Sequence, residues 1–515
     1  MSEKEYIVSL NKGVDYAAFN QEMIANTGAG DIPNRGVEVA NARPGSQRNT
    51  HYMLTDEEAT LLANDARVYA VELRPDLRSD IKIGIRAVQT GDFTKTIEDR
   101  GFFLNWGMRR INEATNPYVD GAVNGGYNYT LDGTGVDIVV QDTGIQADHP
   151  EFKDANGVTR VQEIDWYAES GLPGSMPTSH YTDYHGHGTH VSGTSAGKTY
   201  GWAKGARIYS VKVSGLEGPS DPNSGIPVSD CFDVITAWHN AKPVDPATGV
   251  KRPTIVNMSW GYNGFYTLPT TINYRGGSYG QNVVISTGGF GEYGLILLST
   301  STPGYYSCPV RVSSVDVDVQ EMIDAGIHVC IAAGNNYHKA DVTTGLDYNN
   351  NLVNAYSGTI YYNRGSSPFS EEAHMVGNID STEHSGGLEQ KAVSSTTGPA
   401  VSIYAPGTDI MSSMSNVNIF TDGPYPTDDN YNIGNISGTS MASPQIAGVL
   451  ALYVQLNPAA TPEQGLTYIN TTAKEGVIYT TGLDTDYTDQ RSIKGGQNRF
   501  AFNKFNSSVQ LSIGS

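Results

Sequence analysis

Apolar and polar residues alternate over Tyr6-Ile7-Val8-Ser9-Leu10, the period of a half-buried strand. Residues 14–25 change to helical spacing, with Tyr16, Phe19, Met23 and Ile24 near one face. A polar, Gly- and Pro-containing stretch, 27–47, separates them from a second strand at Tyr52-Met53-Leu54. Thr55-Asp56-Glu57-Glu58 is a capping box, predicting a short helix with Leu61 and Leu62 inward. Val68 to Leu73 predicts a closing strand. The order predicts a small α+β unit of the split βαβ kind over residues 1–76, followed by a polar linker, 77–100. By itself such a unit fits any small binding domain.

Further on, the apolar runs lengthen. Val136 to Val140 and Gly326 to Ile331 are too continuous for strands with one wet face, and predict a buried parallel sheet. Helical stretches alternate with them: Thr189 to Gly197 and, further on, Ala442 to Leu452, both of small residues, one with Phe232, Ile235 and Trp238, and Val315 to Ala325. The fold class is therefore α/β, a mainly parallel sheet flanked by helices, preceded by the small α+β unit.

The length, 515 residues, suits one large domain plus an accessory one. A net charge of −21 without a basic stripe argues against nucleic acid as a partner. Three cysteines are too few for a disulfide framework, and Cys330 lies in an apolar run as a core residue. With no run of 18 apolar residues, no membrane span is expected. The start, Met1-Ser2-Glu3-Lys4-Glu5, lacks the pattern of a signal peptide. It predicts a chain cytoplasmic at synthesis, with virion association or export by another route left open.

Candidate chemistry lies where strands end. The strand Val136 to Gln141 runs into Asp142-Thr143-Gly144, and function in open α/β sheets gathers at such carboxyl ends. Asp-Thr-Gly also suits an aspartic protease, but that chemistry needs a second carboxylate motif, which the chain lacks. His187 follows in His187-Gly188-Thr189-His190, and with His185 and His190 it could instead ligate zinc, though no carboxylate or Cys partner is evident. Ser440 stands in Gly438-Thr439-Ser440-Met441-Ala442-Ser443-Pro444, at the start of a helix with Pro444 in its first turn. Ala332-Ala333-Gly334-Asn335 closes another strand.

Acid, base and hydroxyl in the order Asp, His, Ser, each among these neighbours, resemble the subtilisin-like serine peptidases, proteinase K branch. The resemblance covers roughly residues 101–515. It implies peptide-bond hydrolysis with Ser440 as nucleophile, His187 as base, Asp142 orienting that base and Asn335 donating to the oxyanion. It implies substrate contacts at Ser224 and Gly225 on one side and Ser259, Trp260 and Gly261 on the other, with Trp260, Ala332, Ala333 and Gly334 as walls of the first pocket. No cofactor is required. Calcium is common in the family, but Ser402 stands where proteinase K-like members carry an aspartate ligand, so no metal site is expected. Gln445 replaces a family histidine. Against the family pattern, residues 262–312 and 340–368 are insertions that could form a lid, a docking surface or extra strands. Placed ahead of such a domain, residues 1–76 resemble its inhibitory propeptide, making the expected partners a peptide or protein substrate and the chain's own N-terminal domain. The rival expectation is a structural or assembly component of a larger particle that carries a latent protease domain.

Overall fold

The computed structural model describes residues 3–505, apart from 26–29, 86–104, 117–128, 130, 219, 268, 281–292, 298–304, 355–356, 421 and 482–488. Residues 86–100 of the expected linker thus lie outside the described residues.

The N-terminal unit runs β1 (Lys4–Leu10), α1 (Tyr16–Ile24), β2 (Val39–Asn41), β3 (Asn49–Leu54), α2 (Asp56–Leu62) and β4 (Val68–Leu73). Its antiparallel sheet has the order β2-β3-β1-β4, a ferredoxin-like arrangement. Thr55 and Glu58 form the capping box of α2. Phe19, Met23 and Leu62 are buried, but Ile24 and Leu61, both expected inward, are 54% and 55% exposed. Each adjoins the buried residue in sequence, and a helical step of about 100° carries it off the packed face.

The large domain is built on a nine-stranded sheet, ordered β23 (Lys474–Glu475), β24 (Arg499–Phe500), β19 (Ile403–Pro406), β18 (His374–Ile379), β15 (His328–Ala332), β9 (Thr254–Met258), β6 (Asp137–Asp142), β8 (Arg207–Lys212) and β7 (Val161–Gln162). All pairings but β23–β24 are parallel. Alternation along β6 divides the core. Ile138 and Val140 pack with Met441, Ala442 and Ile446, whereas Val139 packs with Val211, Val256 and Trp238. The first cluster is centred on a helix, α6 (Thr439–Leu456), that lies against α3 (His187–Ala196), β9, β15 and β18. The second includes α4 (Val228–Ala241) and α5 (Ser313–Asp324).

The two insertions form strands. β10 (Trp260–Thr267) pairs with β14 (Tyr305–Pro309), beside which lies β13 (Ile296–Leu297). β11 (Pro269–Tyr274) and β12 (Gly277–Gly280), from the first insertion, join β16 (Asn351–Asn354) and β17 (Gly358–Tyr361), from the second, in one antiparallel sheet. Arg275 and the buried Lys339 both bind Asp347, tying the insertions by charge, at 2.6 and 2.8 Å. A small sheet of β20 (Ile410–Met414), β21 (Asp422–Tyr425) and β22 (Asp428–Ile436) precedes α6.

The N-terminal unit docks on α4 and α5. Arg43, 1% exposed, holds Asp233 through Nε at 2.7 Å and Asp318 through Nη2 at 2.9 Å. Asn49 Nδ2 donates to Asp318 at 2.7 Å, and Ser46 Oγ to Glu321 at 2.7 Å. Glu72 accepts the Ser314 N–H in the first turn of α5, where a carboxylate suits the helix dipole. Burial, opposed by Arg43, raises the Asp318 carboxyl above its ordinary range. Burial also opposes charge on Arg43, but Asp318 and Asp233 outweigh it and raise its pKa. Arg43→Met should therefore weaken docking by about 3–5 kcal/mol, by leaving two buried carboxylates without their cation. Limited proteolysis should then remove residues 1–73 selectively, while the large domain resists as in the parent chain.

Candidate active site

Asp142 ends β6 with its side chain fully buried and accepts the Thr143 N–H at 2.8 Å. His187 is the first residue of α3, behind Gly186, whose φ of +92° favours glycine. Gly188 is required by crowding, since a Cβ there would lie 2.1 Å from the Gly144 carbonyl oxygen. Close approach of this turn to the end of β6 sets His187 Nδ1 2.7 Å from Asp142 Oδ1. With Nδ1–H donated to the carboxylate, Nε2 is the basic nitrogen, and it is buried with no hydrogen-bond partner among the described residues.

Ser440 lies on the first turn of α6, fully buried. The helix starts one residue before it, so Pro444 falls in the second turn and not the first. That shift has a chemical consequence. Pro444 has no N–H to give the Ser440 carbonyl four residues back, and the Ser259 hydroxyl donates to that carbonyl instead, at 3.0 Å. In return Ser440 Oγ donates to the Ser259 carbonyl, also at 3.0 Å. The candidate nucleophile is thereby tied to the strand segment that was expected to hold substrate.

Asn335, just past β15, is pinned at its carbonyl end, where Oδ1 accepts from Thr439 N at 3.0 Å and Thr439 Oγ1 at 3.1 Å. This fixes the side chain next to Ser440. Gly334 N donates to the same Thr439 hydroxyl, and Gly334 has a φ of +114°. Ala333 N donates to Val376 O at 3.0 Å.

On the other side, Ser224 Oγ accepts from the buried Lys212 ammonium at 2.9 Å, and Gly225 N donates to Glu217. Trp260 departs from the expectation of a pocket wall. Its ring is fully buried against Phe232, with Nε1 donated to Gln141. The apolar ring of a core strand stays in the core, and only the Trp260 backbone faces the edge. That edge is occupied: β5 (Ile81–Ile85), from the stretch read as linker, pairs antiparallel with β10. Ile85 lies opposite Trp260, Gly84 opposite Gly261 and Ile81 opposite Gly264, so the segment runs toward Ser259.

The three histidines do not converge on a metal. His190 Nε2 lies 2.9 Å from the Ile410 carbonyl and 3.1 Å from that of Gly434, and burial pushes its pKa down to about 3. Burial and then His187 lower that of His185. No set of three or more His, Cys, Asp or Glu side chains comes together as metal ligands among the described residues. Sequence reasoning missed Asp183, which accepts five hydrogen bonds beneath the His187 turn; it sits in Asp183-Tyr184-His185-Gly186, a stretch with no apolar period.

Residues 133–500 match the Subtilase family. The chain belongs to this family of subtilisin-like serine proteases. It is 27% identical over 429 residues to an extracellular serine proteinase of a Thermus species, an overlap of 83% of this chain and 72% of that one. To alkaline serine exoprotease A of Vibrio alginolyticus it is 26% identical over 431 residues, 82% of this chain and 55% of the relative. The subtilase chain therefore spans little more than half the length of the latter. Among solved structures, fervidolysin from Fervidobacterium pennivorans, a keratinolytic enzyme related to subtilisin, shares the fold. The TM-score is 0.51 at 18% identity, over 96% of this chain and 60% of that one.

Proposed function

We propose that this subtilase is a serine endopeptidase that cleaves extended protein segments through an acyl-enzyme, held latent by its own N-terminal domain. The observation that carries the chemistry is the buried pair of His187 Nδ1 and Asp142 Oδ1, 2.7 Å apart, which leaves Nε2 as the only basic nitrogen of the ring. Rotation of Ser440 Oγ from the Ser259 carbonyl toward Nε2 lets His187 take its proton as Oγ attacks the scissile carbonyl. Asp142 stabilises the imidazolium, which then protonates the leaving amine; water repeats the sequence to release the acyl group. Asn335, held beside Ser440 through its carbonyl end, carries the amide proposed to donate to the oxyanion.

Latency is supported by β5 on β10. A substrate would add to that edge by main-chain hydrogen bonds, the same bonds β5 makes, and both cannot be there at once. A tethered strand has a high effective concentration, so the uncut chain should compete well against substrate.

Ser440→Ala is expected to abolish hydrolysis of casein with the fold intact by circular dichroism. Undiminished turnover would refute the assignment. Asn335→Leu should lower kcat by about 10²–10³-fold with KM nearly unchanged, the loss that subtilisin itself shows for its oxyanion-hole asparagine. A rise in KM at constant kcat would make it a loop residue. Peptidase activity of the full chain should rise on limited proteolysis between residues 86 and 100, with the cut mapped by mass spectrometry. Equal activity before and after cutting would leave the N-terminal unit as a docking module.

A further inference from the structure

The first turn of α3 has an unmet requirement. Its N-cap is Gly186, which has no side chain to accept the leading N–H groups. The acceptors come from two other residues. Thr143 Oγ1 takes Gly188 N–H at 2.8 Å, and Asp183 takes those of Gly186 and Thr189, one on each carboxylate oxygen. Asp183 Oδ1 accepts His185 N at 3.0 Å, Gly186 N at 2.8 Å and the Thr143 hydroxyl at 3.0 Å. Oδ2 accepts Thr189 N at 3.0 Å and Thr189 Oγ1 at 2.6 Å. Asp183 is 1% exposed.

All five partners donate, so only a carboxylate satisfies them; an asparagine would set its own NH₂ against donors. The charge also lies at the positive end of the α3 dipole. Above all, the net is closed. Thr143 is bonded in sequence to Asp142 and gives Asp142 Oδ1 its N–H, while Asp183 grips both Thr143 and the turn that carries His187. The acid and the base are thus fastened to each other by a route separate from their direct hydrogen bond.

We propose that Asp183 is a positioning residue for the reaction: it sets the His187 ring against Asp142 by clamping Thr143 to the first turn of α3. Its effect is on the orientation of the base and not on substrate, which it does not touch. This rests on the reading of His187 as the base, and predicts a loss confined to kcat.

Asp183→Asn should lower kcat about tenfold to a hundredfold, the scale of an ångström of misplacement, with KM within about twofold. Turnover of a small peptide would be measured on the chain nicked between residues 86 and 100, and the fold checked by thermal unfolding. On the intact chain, a sharp low-field proton resonance of His187 Nδ1–H is expected in the parent and should broaden or vanish in the variant. Because Asp183→Asn removes a buried charge and could fail to fold, Thr143→Val is read beside it. This variant cuts the clamp and keeps the carboxylate, and the same kcat-specific loss is expected, while Thr189→Ser should retain parental kcat. Parental kcat and an unchanged low-field resonance in Thr143→Val would overturn the proposal, as would equal changes in kcat and KM. The resonance is read without turnover, so failure here is distinguishable from failure of the serine-peptidase reading, which Ser440→Ala tests.

Discussion

The site depends on a helix of 18 residues, α6, that runs almost wholly buried beside the central strands of the parallel sheet. A helix can occupy that position only if its side chains are small or apolar or have their polar groups satisfied, and Thr439 to Leu456 meets this, with the buried Gln445 accepting from Trp202 Nε1 at 2.6 Å. Ser440 is then delivered to the carboxyl ends of β9 and β15. The cost of a proline inside this helix is one backbone hydrogen bond. Ser259 offsets it by donating to the orphaned Ser440 carbonyl, and the two serines hold each other. Helix start, proline and substrate strand are one arrangement.

Around it the acid and base are held by polar groups that are buried and satisfied. The His187–Asp142 contact leaves one nitrogen open, and the carboxylate of Asp183 and hydroxyl of Thr143 supply acceptors where Gly186 cannot. Five donors satisfy the Asp183 carboxylate, whereas Asp142 Oδ2 and His187 Nε2 are buried with no partner among the described residues, so the clamp is complete where it holds the turn and open where the candidate chemistry would occur.

The N-terminal unit holds the large domain at two places of different character. Arg43 enters a carboxylate cluster on α4 and α5, a charge-specific contact remote in sequence from Asp142, His187 and Ser440. β5 adds to β10 through backbone alone, next to Ser259. The first orients the unit by charge, and the second covers a backbone edge of the large domain. The insertions, joined through β11 and β16, extend the same side of the molecule by strand pairing.

Local patterns in the chain by themselves determined the fold class. The strand pattern at Tyr6 to Leu10, the capping box at Thr55 and the apolar runs ending at Asp142 and Ala332 each reflect interactions within a few residues, although β1 is buried at every position from Ile7 to Leu10 and not half-buried as its alternation predicts. Asp142, His187, Asn335 and Ser440 stood out as candidates because glycines and small residues crowd each of them. Only the tertiary structure decided what depends on partners far along the chain. Trp260 turned from pocket wall to core because Gln141 and Phe232 receive its ring. Ile81 to Ile85 alternates isoleucine with Lys82 and Gly84, a period of two that the linker reading passed over; only the fold showed that its partner is the edge of β10. Asp183 and Arg43 draw their roles wholly from donors and carboxylates brought to them by folding. Periodicity records which face of an element is dry; it holds no information on which distant group will satisfy a buried charge.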